Sequence, residues 1–226
     1  MKCNRSLMET HENIDKKTNS NKSIIIDRGL ARSGIKIHGV NPALLIEKIL
    51  REKIQDSHYW HIKVSNLEFF ELLDECVNGI QLIGTYSTNS KTKVCKFIVL
   101  LFKLLQFDKI DIEIVKWIIS GDHGFKYLTV LFMLYARIIW EDSILIWNTL
   151  ELKLNDYRKI RIINSFGIVT ISHIDEIADL LLENDKFIDM ALPRISNRWV
   201  LEERMDIGER ESELMDEFED EINENE

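Results

Sequence analysis

Residues that break regular structure are scarce in this chain. Its 226 residues contain two prolines, Pro42 and Pro193, and nine glycines. That scarcity disfavours a fold of many short strands and many turns and favours long helices. Cysteine is scarce too: Cys3, Cys76 and Cys95 make an odd set without metal-type spacing. No disulfide framework is expected, and Cys76 and Cys95, lying in apolar runs, read as small core residues. A reducing compartment, cytosol or nucleus, follows. The chain also lacks a long unbroken apolar run. Lys96 and Lys103 interrupt Val94–Leu105, and Arg137 interrupts Leu128–Trp140. Neither stretch approaches the ~18 apolar residues of a spanning helix, and no charged start leads into an apolar signal core. Neither a membrane span nor secretion is expected.

Chemistry-bearing motifs are equally sparse. No glycine-rich run ends in Gly-Lys-Ser/Thr, which argues against a phosphate loop, and no nucleophile elbow occurs. His58 and His61 stand three apart, yet no Cys, Asp or Glu cluster surrounds them at ligand spacing. They read as a polar pair at a helix end beside Tyr59 and Trp60. Gly121-Asp-His-Gly124 is simplest as a helix stop followed by a helix start. No catalytic site, metal or cofactor is expected, and the chain is not expected to be an enzyme.

What the chain does have is apolar content, at 45% hydrophobic enough for a sizeable core, and a strongly segregated charge. The net charge is −9. Glu202–Glu226 holds thirteen acids against Arg204 and Arg210, net −11, so residues 1–201 stand near +2. Residues 1–34 are mostly polar and read as a disordered leader, with a short apolar patch at Ile24–Ile26. Residues 204–226 read as an acidic disordered tail. The folded part is expected over 35–203.

Within it the periodicity predicts a mostly α, compact multi-helix bundle. Asn41-Pro42 opens a first helix, with Ile46, Leu50 and Ile54 on one face. Ser65 with Glu68 has capping-box spacing for a second helix, with Leu67, Phe70, Leu73 and Val77 inward and Gly79 as its stop. A flexible loop follows over Gly84–Ser90. Further helices are predicted over Thr92–Leu105, Asp111–Ser120, Gly124–Glu141 and Ser143–Lys153. The one over 124–141 is apolar nearly all round and so belongs in the middle of the bundle. Lys159–Ile163 and Ile168–Ile171 flank Asn164-Ser-Phe-Gly167 and predict a small β-hairpin near residues 159–171. Ser172 is expected to cap a seventh helix to Leu182, and Trp199-Val-Leu201 to supply a last apolar anchor. Of the five tryptophans most are expected to pack, leaving one or two for a partner.

The most interesting surface segment is Asn155, Asp156, Tyr157, Arg158 and Lys159, followed by Arg161. It reads either as a solvated connector or as a recognition edge for an acidic peptide or RNA backbone. Arg158 in turn either grips a partner carboxylate or braces a carboxylate of its own domain.

At these residues the chain resembles the pre-mRNA-splicing factor 38 family. The resemblance runs through ordered blocks over about residues 36–203: Ile37-His-Gly-Val-Asn-Pro42 with Leu45-Ile-Glu-Lys-Ile49, Tyr59-Trp60, Phe125-Lys-Tyr127, Tyr135-Ala-Arg137, Asn155-Asp-Tyr-Arg-Lys-Ile160, His173-Ile-Asp-Glu176, and Leu192-Pro-Arg194 through Arg198-Trp-Val-Leu-Glu-Glu203. It implies a nuclear, non-catalytic scaffold of the tri-snRNP or precatalytic B complex, required for spliceosome activation. The implied partners are a zinc-finger splicing protein, a microfibrillar-associated-protein relative and tri-snRNP components. Arg194 and Arg198, within the last block, join Asn155–Lys159 as partner-binding candidates. Two departures stand out: many relatives end in an Arg/Ser-rich tail where this chain ends in Glu and Asp, and the loop after Ile83 keeps Gly84 but is otherwise less glycine-rich. A reading of a different class is direct RNA binding, but the folded part lacks the aromatic-and-basic motifs of RNA modules, so RNA contacts are expected to be indirect or confined to the particle. A third is a helical adaptor unrelated to splicing.

Overall fold

The first apolar stripe, Ile46, Leu50 and Ile54, is fully buried, but it is not carried by one helix. In the computed structural model, which describes residues 37–209 apart from 38, 89, 122, 165 and 166, the chain forms a 3₁₀ turn over Pro42–Leu45. Asn41 caps it by accepting from the Ala43 N–H, and helix α1, Lys48–Gln55, starts only after a break at Ile46–Glu47. The buried Arg51 guanidinium accounts for the break. Its Nη1 donates to the Ala43 and Ile46 carbonyls at 3.4 and 3.1 Å, giving a partner to carbonyls that a continuous helix would satisfy internally.

A single π-type turn, Trp60–Val64, precedes α2, Phe69–Gly79. The expected cap at Ser65 is therefore corrected by three residues, because Glu68 is the cap and pairs reciprocally with Glu71. The buried face is widened rather than moved: Leu72 and Cys76 are fully buried, Leu67, Leu73 and Val77 pack half-buried against the core, and Phe70 of the expected set is 78% exposed. The stretch expected as a flexible loop instead contains a hairpin, β1 (Tyr86–Ser87) with β2 (Ser90–Val94). Residues 92–94 consequently belong to a strand, and α3 spans Lys96–Leu104. Helices α4 (Ile112–Ser120, capped by Asp111), α5 (Lys126–Ile139) and α6 (Ser143–Leu150, continued by a 3₁₀ turn to Lys153) follow the expected pattern closely. Every residue of α5 from Leu128 to Ile139 is buried, and the helix packs on α2, α3, α4 and α7 at the centre of the bundle.

The hairpin predicted near 159–171 is present as β3 (Lys159–Ile163) and β4 (Val169–His173), in register from Lys159 opposite His173 to Ile163 opposite Val169. On its other edge β3 pairs with Ile83: the Ile83 N–H donates to the Arg161 carbonyl and the Ile163 N–H to the Ile83 carbonyl, both at 2.9 Å. Gly84 is needed beside this junction, since a Cβ there would lie 1.9 Å from Ile163 Cγ2. Helix α7, Ile174–Glu183, is capped by His173 rather than Ser172, whose hydroxyl instead bonds Glu176. A last two-residue hairpin, β5 (Lys186–Phe187) and β6 (Met190–Ala191), turns through Ile188 and Asp189, both at positive φ. Thr85 Oγ1 lies 3.1 Å from both the Ile188 carbonyl and Asp189 Oδ2, holding that turn. Helix α8, Arg198–Glu203, buries Leu201 but leaves Trp199 62% exposed, so Leu201 alone is the anchor. The expected leader at 1–34 and most of the expected tail lie outside the described residues.

Candidate partner-binding surface

The segment between α6 and β3 is shaped from within. Asp156 sits two residues before Arg158, a spacing that folds the guanidinium back onto the carboxylate. Arg158 Nε lies 2.8 Å from Asp156 Oδ1 and Nη2 lies 2.6 Å from Oδ2, a fork-on-carboxylate pair. Lys153 adds a third charge, 3.9 Å from Oδ2. Partial burial pushes the Asp156 carboxyl up, but the Arg158 bonds and the charges of Arg158 and Lys153 outweigh it and hold the group below its ordinary range. The Asp156 carbonyl accepts from the Asp175 N–H at 3.1 Å, fastening the connector to the first turn of α7. In this geometry Arg158 braces its own domain.

The neighbours of this pair face outward. Asn155 and Lys159 are exposed and Tyr157 is 67% exposed. The Lys159 carbonyl is bonded by Lys126 Nζ, and the Arg161 N–H by Tyr127 Oη at 3.3 Å, so the start of α5 fixes the start of β3. Beside the connector lies a groove of about 530 Å³ whose opposite wall is Ser120 and Gly121, at the end of α4. Leu152, 66% exposed, lies on the connector side.

The turn after α4 is braced by His123. Its Nε2 lies 2.6 Å from the Ile118 carbonyl, and its Nδ1 accepts from the Phe125 N–H at 3.2 Å, which fixes the neutral tautomer with the proton on Nε2. The ring stacks on Phe125 and leans toward Trp117. The histidine serves as a joint between two helices. Phe125 and Trp117 remain 48% and 69% exposed. Trp60, Trp140 and Trp147 are buried, so Trp117 and Trp199 are the two tryptophans left to solvent. Val115, Ile118 and Ile119 form the buried stripe of α4; their spacing already places Trp117 on the opposite face, a signal present in the sequence but not used.

Arg198 and Arg194 lie apart from the connector in sequence. Arg198 Nε bonds Glu151 Oε1 at 2.8 Å and the same guanidinium pairs with Glu202, so it clamps α8 to the 3₁₀ turn after α6. Trp147 Nε1 donates to the Ser196 carbonyl at 2.9 Å in the same region. Arg194 is exposed. His58, just before the π turn, and His61, within it, are both exposed, and among the described residues no three His, Cys, Asp or Glu side chains gather as metal ligands. Nor, among those residues, is any helix long and apolar enough to cross a membrane.

Comparison with known proteins agrees with this architecture. The model of the PRP38 family matches residues 35–205. Pre-mRNA-splicing factor 38 of Arabidopsis thaliana is 35% identical over 184 residues, covering 81% of this chain and 50% of the relative. Pre-mRNA-splicing factor 38A of Homo sapiens is 36% identical over the same length, covering 81% of this chain and 57% of the relative. The chain thus spans about half the length of the curated relatives it matches. Among solved structures, a chain in the crystal structure of the Snu23-Prp38-MFAP1(217-258) complex of Chaetomium thermophilum superposes with a TM-score of 0.72 at 29% identity, over 83% of this chain and 96% of that one. The sequence blocks, the helical bundle and its hairpins converge on one assignment, and the chain belongs to the PRP38 family.

Proposed function

We propose that this protein is a non-catalytic scaffold in pre-mRNA splicing, acting in the nucleus within the tri-snRNP or precatalytic B complex and needed for spliceosome activation. The observation that carries the reading is the superposition on nearly the whole of a chain solved together with Snu23 and a segment of MFAP1. The proposed partners here are the counterparts of those two proteins, a zinc-finger splicing protein and a microfibrillar-associated-protein relative, with tri-snRNP components around them. RNA contacts, in this proposal, are incidental to the particle.

The connector between α6 and β3 is proposed as one partner-facing surface. Tyr157, Leu152 and Lys159 would make the contact, since an exposed tyrosine beside a groove fits the aromatic anchors of interfaces. Asp156 and Arg158 would hold them in place. Arg194 and Arg198 would extend the surface, Arg198 chiefly by positioning α8. The test is binding of purified Snu23 and MFAP1 counterparts to the full chain carrying Tyr157→Ala with Lys159→Glu. A loss of ~10-fold or more in affinity for at least one partner, at an unchanged melting temperature, supports the reading, since truncating an interface anchor costs ~2 kcal/mol. Unaltered binding of both partners removes the connector from the interface. Failure of the wild-type chain to bind either, with tight retention of RNA, would instead favour direct RNA recognition.

A further inference from the structure

A second groove, of about 800 Å³, opens where α1, the π turn and the junction of β2 with α3 meet. Lys53, Lys63, Lys93 and Lys96 line it, against a single carboxylate, Asp56. Two of the ammonium groups stand over aromatic rings, Lys53 Nζ 4.9 Å from the Tyr86 centroid and Lys96 Nζ 5.2 Å from that of Tyr59. Tyr59 is fixed in turn by donating to Glu75 at 2.7 Å, and Glu75 also lies 3.6 Å from Lys63. The lining between the lysines is apolar, with Ile62 65% exposed and Val99 buried. Four cations gathered in one concavity repel each other and attract anions. An apolar floor beneath them favours a peptide carrying both acids and apolar side chains over a bare phosphate chain.

The chain contains such a peptide. Residues 210–226 hold nine acids against one base, and Leu214, Phe218 and Ile222 recur at four-residue spacing, which places them on one face of a helix. The seventeen residues follow directly on Glu209, the last described position. Nine carboxylates against the groove's four lysines, and three apolar side chains against its floor, make the segment complementary to the site.

We propose that the lysine groove is a binding site for acidic, apolar-spaced peptide, and that its resident occupant is this chain's own segment 210–226. Leu214, Phe218 and Ile222 lie against the floor around Ile62, and the flanking carboxylates face Lys53, Lys93 and Lys96. Occupied in this way, the groove is closed to other polyanions until a competing acidic segment displaces the tail.

Hydrogen exchange on the full chain tests the proposal. The wild type is compared with Leu214→Ser/Phe218→Ser/Ile222→Ser and with Lys93→Glu/Lys96→Glu, each at matched melting temperature. If charge reversal lowers the melting temperature, Lys93→Gln/Lys96→Gln replaces it. Amides of residues 57–64 and 93–97 are expected to exchange ~3–10-fold faster in both variants, and 1 M salt is expected to remove most of the wild-type protection. Poly(U), used as a polyanion probe, is expected to bind the tail variant more tightly than the wild type, and adding Lys93→Glu/Lys96→Glu is expected to abolish that gain. Equal exchange and equal poly(U) affinity in wild type and tail variant would overturn the proposal. So would protection that appears only with protein concentration and a dimeric mass, which would make a second copy the occupant.

Discussion

Asp156 and Arg158 illustrate how two residues set the shape of a surface without facing outward. Their paired hydrogen bonds at 2.8 and 2.6 Å close the connector on itself, and Asp156 is largely shielded. The carboxyl has its proton affinity lowered by folding, so the pair stabilises the fold above the ordinary carboxylate range near pH ~4. That contribution fades as pH falls through the native value. Asp156→Asn is expected to lower stability at pH 7 by ~2 kcal/mol, the scale of a charged hydrogen-bonded pair. Denaturation at pH 7 and pH 3 checks the sign, because the two proteins should converge at the lower pH. A deficit undiminished at pH 3 would place the loss in packing instead. Gly84 is a second residue whose role is spatial. Ile163, 7% exposed, has no room to retreat from an added methyl, so Gly84→Ala is expected to cost ~1–3 kcal/mol by overpacking, read as a drop in the midpoint of urea unfolding.

Among the elements, Arg137 explains why a charge interrupts the central helix, buried from Leu128 to Ile139. It lies in the last turn of α5, 1% exposed, and its Nε donates to the Leu181 carbonyl at 2.8 Å. Leu181 belongs to the last turn of α7, where carbonyls lack in-helix donors and carry the negative end of the helix dipole. Burial pushes the guanidinium down to about 10, with Asp185 acting in the opposite direction. Arg137→Met is expected to loosen the end of α7, costing ~1–3 kcal/mol and speeding exchange at residues 180–184 before the rest of the domain. Uniform loss of protection would mean that the arginine supports the whole core rather than this joint. Helices α4 and α6 were legible in the sequence because a capping aspartate stands before each, Asp111 and Asp142, and α5 because its apolar run is too long for a strand. In α2 two apolar stripes compete, and packing against α3 and α5 selects Leu72 and Cys76 over Phe70. Hairpin β1–β2 was invisible, since its polar residues carry no period-two alternation and its pairing is a matter of backbone and of Tyr86 against Lys53. The connector itself stood out as a dense polar run. The far wall of its groove, Ser120 and Gly121, is more than thirty residues away and only tertiary packing brings it near.

Across the whole molecule, the Ile83–Ile162 pairing imposes an order of events during synthesis. Ile83 takes its backbone partners from Arg161 and Ile163, and Thr85 reaches 103 residues along the chain to Ile188. The first three helices therefore cannot finish their own packing when they emerge from the ribosome. They wait for β3, and the turn at Ile188 must follow before Thr85 finds its acceptor. Long-range closures of this kind slow folding because the loop entropy is lost before the contact is gained. Ribosome-stalled chains ending near residue 150 are expected to remain sensitive to protease throughout residues 60–105, and chains with residue 190 clear of the exit tunnel are expected to become resistant in one step. Resistance of the shorter chain would mean that the N-terminal helices fold as a unit of their own. Until α7 follows, the face of α5 that it covers stays open, and the interval between residue 139 leaving the tunnel and residue 183 following it is the period in which this chain depends most on a chaperone.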